Sequence, residues 1–189
     1  MRARAHVTLA AGALGLAALA CRGGPRTTPF DASGVDASAE ASKLGALLPP
    51  SIGPFTATDP PMMVTGSGLL IQANRSYADA SGKKADVSLA TGDVRSETET
   101  IESNQEHAFG SDSPTYWRTT SIAGHRARIA EERPVVRSSE CLVRVEPNHV
   151  VTVRVYPASP GECATVAALL DFKTIIASGG VPSPPADRR

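Results

Sequence analysis

Three cysteines are the residues of this sequence that most readily form covalent bonds. Cys141 and Cys163 lie far apart in the chain, and neither has another cysteine or a histidine within a few positions. Metal sites usually use closely spaced ligands such as Cys-x-x-Cys, so this spacing argues against one. A disulfide, two buried free thiols and a catalytic cysteine are the other choices for this pair. Cys21 stands alone, and its chemistry depends on the apolar run before it.

The histidines form no recognised catalytic or metal-binding motif. We predict His107 at the end of a surface helix, His125 in a turn and His149 in a hairpin loop. None lies in a sequence of the form G-x-S-x-G, H-E-x-x-H or H-x-x-E-H, and there is no phosphate-binding loop or dinucleotide fingerprint. We therefore predict no catalytic residue, no metal site and no cofactor. A site assembled from dispersed residues is the alternative.

Acidic residues cluster on one predicted helix, at Glu97, Glu99, Glu102 and Glu106. A hard cation needs oxygens that converge on it, whereas a straight helix splays its carboxylates apart. The cluster is therefore interpreted as a solvated acidic face and not as a cation site.

The later strands are rich in arginine, with Arg126, Arg128, Arg137, Arg144 and Arg154. The pattern places Arg144 and Arg154 on one face of a hairpin, opposite its valines. Such a face suits an acidic partner. A solvated face with cross-strand pairing to Glu140 and Glu146 is the favoured interpretation.

Residues 1–20 are predicted to be a signal peptide. A short positive start precedes the run "VTLAAGALGLAALA". This run is shorter than the about 20 apolar residues that span a bilayer, and it has the length and order of a secretory signal. The rest of the chain contains no apolar run of comparable length.

The stretch "AALAC", residues 17–21, resembles the lipobox of bacterial lipoproteins. In that motif a small residue, here Ala20, precedes a cysteine whose thiol is acylated before the signal is removed. The resemblance implies that Cys21 carries a lipid that anchors the protein to a membrane. The alternative is ordinary cleavage after Ala20, which leaves Cys21 as a free or cross-linking thiol.

Composition argues against nucleic acid as a partner. The chain has 19 basic and 19 acidic residues, and only 4% of its residues are aromatic. Proteins that bind a phosphate backbone usually carry a basic surplus, and single-strand binders add aromatic residues for stacking. Removal of Arg2 and Arg4 with the signal peptide shifts the balance further toward acid. We therefore predict no nucleic-acid partner.

The rest of the chain divides into a tether, one domain and a tail. Residues 21–42 begin with Cys21 and are rich in Gly, Pro, Ser, Thr, Asp and Ala. Such a segment cannot bury enough surface to offset its ordering entropy, so we predict a flexible tether. Residues 43–178 have the length of a single domain and contain no internal repeat. Residues 179–189 are predicted to be a disordered tail.

The first half of the domain is predicted to contain a short helix, a β-hairpin and a surface helix. The residues "ASKLGALL" precede Pro49 and Pro50, which stop a helix. Alternating apolar residues in "GLLIQANRSYAD" and "KADVSLATG", with "DASGKK" between them, predict the hairpin. In "DVRSETETIESNQEHAFG" apolar residues recur at helical spacing, and Asp93 or Ser96 is suited to cap the start.

The second half is predicted to be strand-rich. The stretches "YWRTTSIAG" and "RARIAEER" predict two strands around an Ala-Gly turn. "SSECLVRVEPNHVVTVRVYP" then predicts a hairpin with its valines on one face. A three-residue loop, 147–149, keeps them there by pairing Val145 with Val151 and Cys141 with Val155.

The last element is predicted to be one amphipathic helix. Ser159 and Glu162 form a Ser-x-x-Glu capping box at its start. Packing of its apolar stripe on the sheet brings Cys163, in the first turn, to Cys141. In an exported protein with Cys21 acylated, these two are the remaining even pair, so we predict a structural disulfide.

These elements predict an α+β fold, with an antiparallel sheet of about six strands, a surface helix and a C-terminal amphipathic helix packed on the sheet. The element order and the stretches "LLPPSIGPF", "IAGHRARI" and "VVTVRVYP" are similar to the Mog1p/PsbP-like arrangement of small exported proteins. The resemblance spans residues 45–177. It implies an accessory or assembly role in binding other proteins, with no catalytic residues carried over.

The sequence therefore predicts a lipid-anchored cell-envelope protein with a non-catalytic binding or scaffolding role. Its expected partners are the membrane, through the lipid, and an envelope protein. By resemblance to lipoprotein sorting, Arg22 after the cysteine indicates the periplasmic face of the outer membrane. An envelope enzyme with a dispersed site and a soluble secreted protein are the alternatives.

Overall fold

A computed structural model describes residues 35–65, 70–103, 115–132, 137–145 and 148–182. The predicted signal peptide, Cys21 and most of the predicted tether lie outside these residues, as do Glu106 and His107.

The described strands form one sheet in which every pairing is antiparallel. They are β1 (Ser51–Ile52), β2 (Phe55–Ala57), β3 (Met62–Thr65), β4 (Ile71–Ala78), β5 (Lys84–Thr91), β6 (Thr115–Ile122), β7 (His125–Glu132), β8 (Ser139–Val145) and β9 (His149–Tyr156). The order across the sheet is β1-β2-β4-β5-β9-β8-β7-β6, and β3 also pairs with β4.

The predicted α+β class and antiparallel sheet are confirmed, but the predicted count of about six strands is wrong, because the sheet has nine. Strands β4 to β9 have seven or eight residues each and correspond to the predicted ones. Strands β1 to β3 have two, three and four residues. Such short strands lie among prolines and are too short to show an alternating pattern.

The predicted turns of two hairpins have clear local causes. In the β4–β5 turn, the Asp79 carboxylate accepts hydrogen bonds from the N–H groups of Ser81 and Lys83 at 2.8 and 3.0 Å. In the β6–β7 turn, Ala123 and Gly124 have φ of 49° and 86°. Two consecutive positive φ angles match the twist of the flanking strands, which is why the turn needs glycine at one position.

The β8–β9 hairpin has a different register from the predicted one. Val145 pairs with His149 and Cys141 with Val153, so β9 begins two residues earlier than expected relative to β8. A shift of two residues leaves every side chain on its original face, so the valine pattern does not distinguish the two registers. His149 is therefore the first residue of a strand and not part of the loop.

Within the described residues, four helices accompany the sheet: α1 (Ala37–Leu47), α2 (Arg95–Glu102), α3 (Glu162–Ala167) and α4 (Phe172–Ala177). Helix α1 begins inside the segment predicted as tether, because the Asp36 carboxylate accepts hydrogen bonds from the N–H groups of Ser38 and Ala39 at 3.0 Å each. Helix α2 begins where predicted, but it ends at Glu102, before the predicted end near His107, and neither Asp93 nor Ser96 caps it.

The predicted single C-terminal helix is two short ones. The Asp171 carboxylate caps α4 by accepting from the N–H of Thr174 at 3.1 Å, so the chain restarts a helix where one was predicted to continue. The N-cap of α3 is Gly161, in the left-handed region, and not Ser159. Half of the capping box does form, since the Glu162 carboxylate accepts from the Ser159 N–H at 2.7 Å.

Apolar residues cover both faces of the sheet. Helices α1, α3 and α4 pack on one face and enclose the larger core, which includes the inward valines of β8 and β9. Helix α2 packs on the other face over a smaller core. The five buried residues of that smaller core are Ala90, Val94, Ile101, Leu142 and Val150.

Candidate functional site

Cys141 and Cys163 meet, as the predicted packing of the C-terminal segment requires. Both are fully buried, and their side chains interact with each other between β8 and the first turn of α3. They are free thiols in this structure, so the predicted disulfide is not formed here. Ser139 Oγ also accepts a hydrogen bond from the Cys163 N–H at 3.4 Å. The fold thus places the two cysteines as neighbours in the core.

The environment of the pair does not favour reactivity. The hydrogen bond to Cys163 and burial raise the pKa of the Cys141 thiol, while that same contact lowers the pKa of Cys163. A lowered pKa supplies thiolate, but reaction also requires access, and neither sulfur is exposed.

The two histidines within the described residues are in separate places. The His125 ring packs against the Phe172 ring, with the ring centroids 4.9 Å apart and the ring planes tilted by 57°. His149 is 1% exposed, and its Nε2 lies 3.2 Å from Ser178 Oγ while its Nδ1 has no partner. Burial lowers the pKa of His149, so the ring is neutral at neutral pH. Neither histidine contacts a carboxylate or a cysteine in these interactions, which gives no catalytic pair.

A short C-terminal segment, Ser178–Val181, covers His149, and we call it the C-terminal strap. Val181 N–H donates to Thr91 Oγ1 at 2.8 Å, and the Val181 carbonyl accepts from the Gly92 N–H at 3.0 Å. Val181 is 5% exposed. The first residues of the predicted disordered tail are therefore packed against the sheet.

The arginine-rich face is covered by helix α2 of the same chain. Arg126 and Arg128 donate to the carbonyls of Glu102 and Thr100 at the C-terminal end of α2, and Arg144 pairs with the Glu102 carboxylate. Arg154 is the arginine that lies across from Glu140 in the register, and Glu146 lies outside the described residues. Cations at a helix C-terminus are favourable, so the acidic helix itself occupies this basic face.

Beyond α2, the same face carries a small polar basin of about 320 Å³. The Asp86 carboxylate accepts from the hydroxyls of Ser76 and Tyr156 at 2.7 and 2.9 Å. Arg154 lies opposite both Asp86 and Glu140 in the strand register, as predicted for Glu140. Burial raises the pKa of Glu140, and Arg154 opposes that shift. Arg137 and Arg154 both line the basin beside Asp86.

A second concavity is apolar and lies at the sheet edge, between α1 and β3. Its volume is about 510 Å³. We call it the α1–β3 groove, and its principal lining residues are Ala46, Pro49, Pro50, Pro61, Met63 and Arg75. Gly45 permits the close approach of the two walls, since a Cβ at that position would lie 3.2 Å from Pro61 Cβ. Met62 and Met63 of β3 are 61% and 52% exposed beside it.

Arg75 places a fixed cation in the α1–β3 groove. Its Nη1 donates to the carbonyl of Leu48 at 2.8 Å and its Nε to the carbonyl of Asp59 at 3.2 Å. Tyr77 supports the same end of α1, because its hydroxyl donates to the Pro49 carbonyl at 2.9 Å. No ion pair joins Arg75 to a carboxylate among the described residues. The guanidinium is thus oriented by neutral groups only.

Sequence reasoning missed this groove, although β4 carries a signal for it. The inward positions of β4 are Ile71, Ala73, Arg75 and Tyr77, and the other three are buried apolar or aromatic residues. A charged residue on the apolar face of a strand breaks the local pattern, and such breaks concentrate at functional sites. The groove walls come from α1 and Pro61, which the strand pattern does not reveal.

The described residues contain neither a cluster of metal ligands nor a membrane-spanning helix. No group of His, Cys, Asp or Glu within them is arranged to hold a metal ion. In the part of the chain that the structure describes, no helix is both long and apolar enough to span a membrane.

Comparison with known proteins gives no relative. No family model, no curated protein and no solved structure matches the chain.

Proposed function

We propose that this protein is a lipid-anchored component of the cell envelope whose domain has a non-catalytic binding role. Cys21 carries the lipid, and Arg22 after it favours the periplasmic face of the outer membrane. The α1–β3 groove is the binding surface, and this observation carries the proposal. An apolar concavity with one oriented polar group is the usual form of a binding site.

The position of the groove supports this role. Helix α1 forms one wall, and α1 begins at Ala37, directly after the segment that follows Cys21. The anchor and the groove are therefore close along the chain. The similarity of the element order to the Mog1p/PsbP-like arrangement supports an accessory role, and we retain it as part of the proposal.

The cysteine pair supports export. Two thiols in contact within a core form a disulfide readily in an oxidising compartment. A binding role is favoured over catalysis because both cysteines and His149 are buried, and His125 packs against an aromatic ring.

The test combines intact mass with cell fractionation of the protein from its own host. We expect a mass that begins at Cys21 with added acyl chains, and two thiols that alkylate only after reduction. The wild-type protein should fractionate with membranes, and Cys21→Ser should not.

An unmodified mature chain, or unchanged fractionation of Cys21→Ser, would show that the protein has no lipid anchor. Thiols that react under denaturing conditions without reductant would exclude the disulfide while leaving the anchor in place. The two parts of the proposal are therefore tested separately.

A further inference from the structure

We infer that the α1–β3 groove binds a small amphiphile with a single carboxylate, of the class of medium-chain fatty acids. The alkyl chain lies along the prolines and Met63, and the carboxylate binds Arg75. This inference rests on the proposed binding function and names the ligand class for its site.

The size and lining of the groove suit an alkyl chain. Its volume of about 510 Å³ lies within the range of about 300–1,000 Å³ that is usual for small-molecule sites. Pro49, Pro50, Pro61, Met63 and Ala46 supply most of its wall. A methionine side chain adapts its shape to a flexible apolar ligand.

Arg75 supplies the recognition of a carboxylate. A guanidinium presents its donors in a planar fork that matches a carboxylate. Two of its N–H groups are held by the carbonyls of Leu48 and Asp59, which orient the fork without neutralising its charge. Since no described carboxylate pairs with Arg75, an anionic ligand would complete the site.

The same wall argues against an extended peptide as the occupant. Three of its residues are prolines, which have no backbone N–H to donate. The Ser42 hydroxyl, at the rim, already donates to the carbonyl of Ser38 at 2.8 Å. A peptide would bury amide groups that lack partners here, and each such group costs free energy. A ligand with one polar end avoids that cost.

The test is calorimetric titration of decanoate, below its micelle concentration, into the exported Cys21→Ser chain purified without detergent. Decyltrimethylammonium, with the same alkyl chain and the opposite charge, is the matched probe. We expect decanoate to bind and the cation to bind at least about tenfold more weakly, because only the carboxylate gains a charge-assisted hydrogen bond.

Substitutions at Arg75 and at Ala46 in the same chain separate the effect of charge from the effect of shape. Arg75→Gln should weaken decanoate binding by about 10- to 100-fold, whereas Arg75→Lys should retain part of the affinity. Ala46→Leu fills the groove from the exposed side of α1 and should abolish binding with the fold intact. Ala39→Leu is the matched control, because Ala39 is also exposed on α1 but does not line the groove.

Three results would overturn the inference: no decanoate binding by the folded chain, equal binding of the two amphiphiles, or unchanged binding in Ala46→Leu. Preferential binding of the peptide acetyl-trileucine would assign the groove to polypeptides instead. Because every chain in this test lacks Cys21, its outcome is independent of whether the wild-type protein is lipidated.

Discussion

At the scale of single residues, the fold places the side chains of His149 and Arg75 in different environments. His149 is buried beneath the C-terminal strap among uncharged groups, which include Thr91, Ser178 and Gly180. Arg75 is only half-buried and lies beside an apolar groove. Burial of His149 thus makes the stability of the protein depend on pH, while partial exposure keeps Arg75 available to a ligand.

The stability of the protein should fall when the pH is lowered below the ordinary pKa of histidine, about 6.5. Because burial lowers the pKa of His149 in the folded protein, the unfolded chain binds more protons in this range. The contribution of His149 to the free energy of unfolding is therefore constant above about pH 6.5. Below that pH it decreases, by up to about 1.4 kcal/mol per pH unit. Urea unfolding between pH 5 and about pH 8 measures it.

The matched variant is His149→Gln, which keeps hydrogen-bonding groups but does not titrate. Its absolute stability will differ from that of the wild-type protein, so the comparison uses the slope against pH. We expect a shallower slope for the variant below about pH 6.5. Equal slopes would show that His149 binds protons equally in the folded and unfolded chains.

Residue-level prediction from the sequence placed Cys141 and Cys163 together in the core, where they are free thiols, and it failed for the groove. Local periodicity shows that Cys141 and Cys163 both face the core. Their contact was therefore predictable although the β8–β9 register was not. Arg75 stands out in its strand, but its partners Leu48 and Asp59 are distant in sequence. Local patterns do not reveal such long-range contacts.

At the scale of elements, the C-terminal strap is held by backbone geometry that only glycine allows. Gly180 has φ of 56°, and a Cβ there would lie 2.6 Å from Thr91 Oγ1 and 2.7 Å from His149 Cε1. The strap therefore lies against the sheet with no space for a side chain at this position. It joins the end of α4 to the edge of the larger core.

We predict that Gly180→Ala destabilises the protein by about 3 kcal/mol or more, from backbone strain and overpacking together. Gly82→Ala is the matched control, since Gly82 also has a positive φ, 84°, but nothing lies within 4 Å of an added Cβ. The Gly82→Ala variant should lose only the free energy of backbone strain, about 1–2 kcal/mol. Thermal or urea unfolding of both variants measures the difference. Equal losses would contradict close packing of the strap.

The elements that the sequence predicted well are those with a strong local pattern. Strands β4 to β9 follow from alternation, and their turns from Gly and Asp. The predicted β8–β9 register was wrong by two residues. The alternation of side chains shows only which face of the sheet each residue occupies, and a shift of two positions leaves those faces unchanged. The C-terminal helix was predicted as one because the apolar stripe continues past Asp171, whose capping role depends on the actual helix start.

At the scale of the whole molecule, the sheet separates two cores of unequal size. The smaller core lies under α2, which has no side-chain N-cap. The larger core is enclosed by three helices. Regions with few buried contacts open more readily than the rest of a protein, so α2 is expected to be the less stable layer.

Native-state hydrogen exchange should therefore show that the amides of α2 exchange through partial opening, at lower free energy than those of β5 and β9. Ile101→Ala, which removes a fully buried side chain from the smaller core, should accelerate exchange in α2 and leave β5 and β9 less affected. Val153→Ala, in the larger core, is the control and should accelerate exchange in both layers. Uniform acceleration by Ile101→Ala would indicate a single cooperative unit.

The strand order also determines when the molecule can complete its fold. Strand β5 pairs with β9, the last of the described strands. The β4–β5 hairpin therefore joins the meander of β6 to β9 through β9. Pairing over so long a sequence separation raises contact order and slows folding. A chain that emerges from its N-terminus onward leaves β5 with an unpaired edge until residues 149–156 are available. Completion of the sheet thus follows the synthesis of residues 149–156, and a chain shortened before residue 149 lacks the strand that joins β5 to β8.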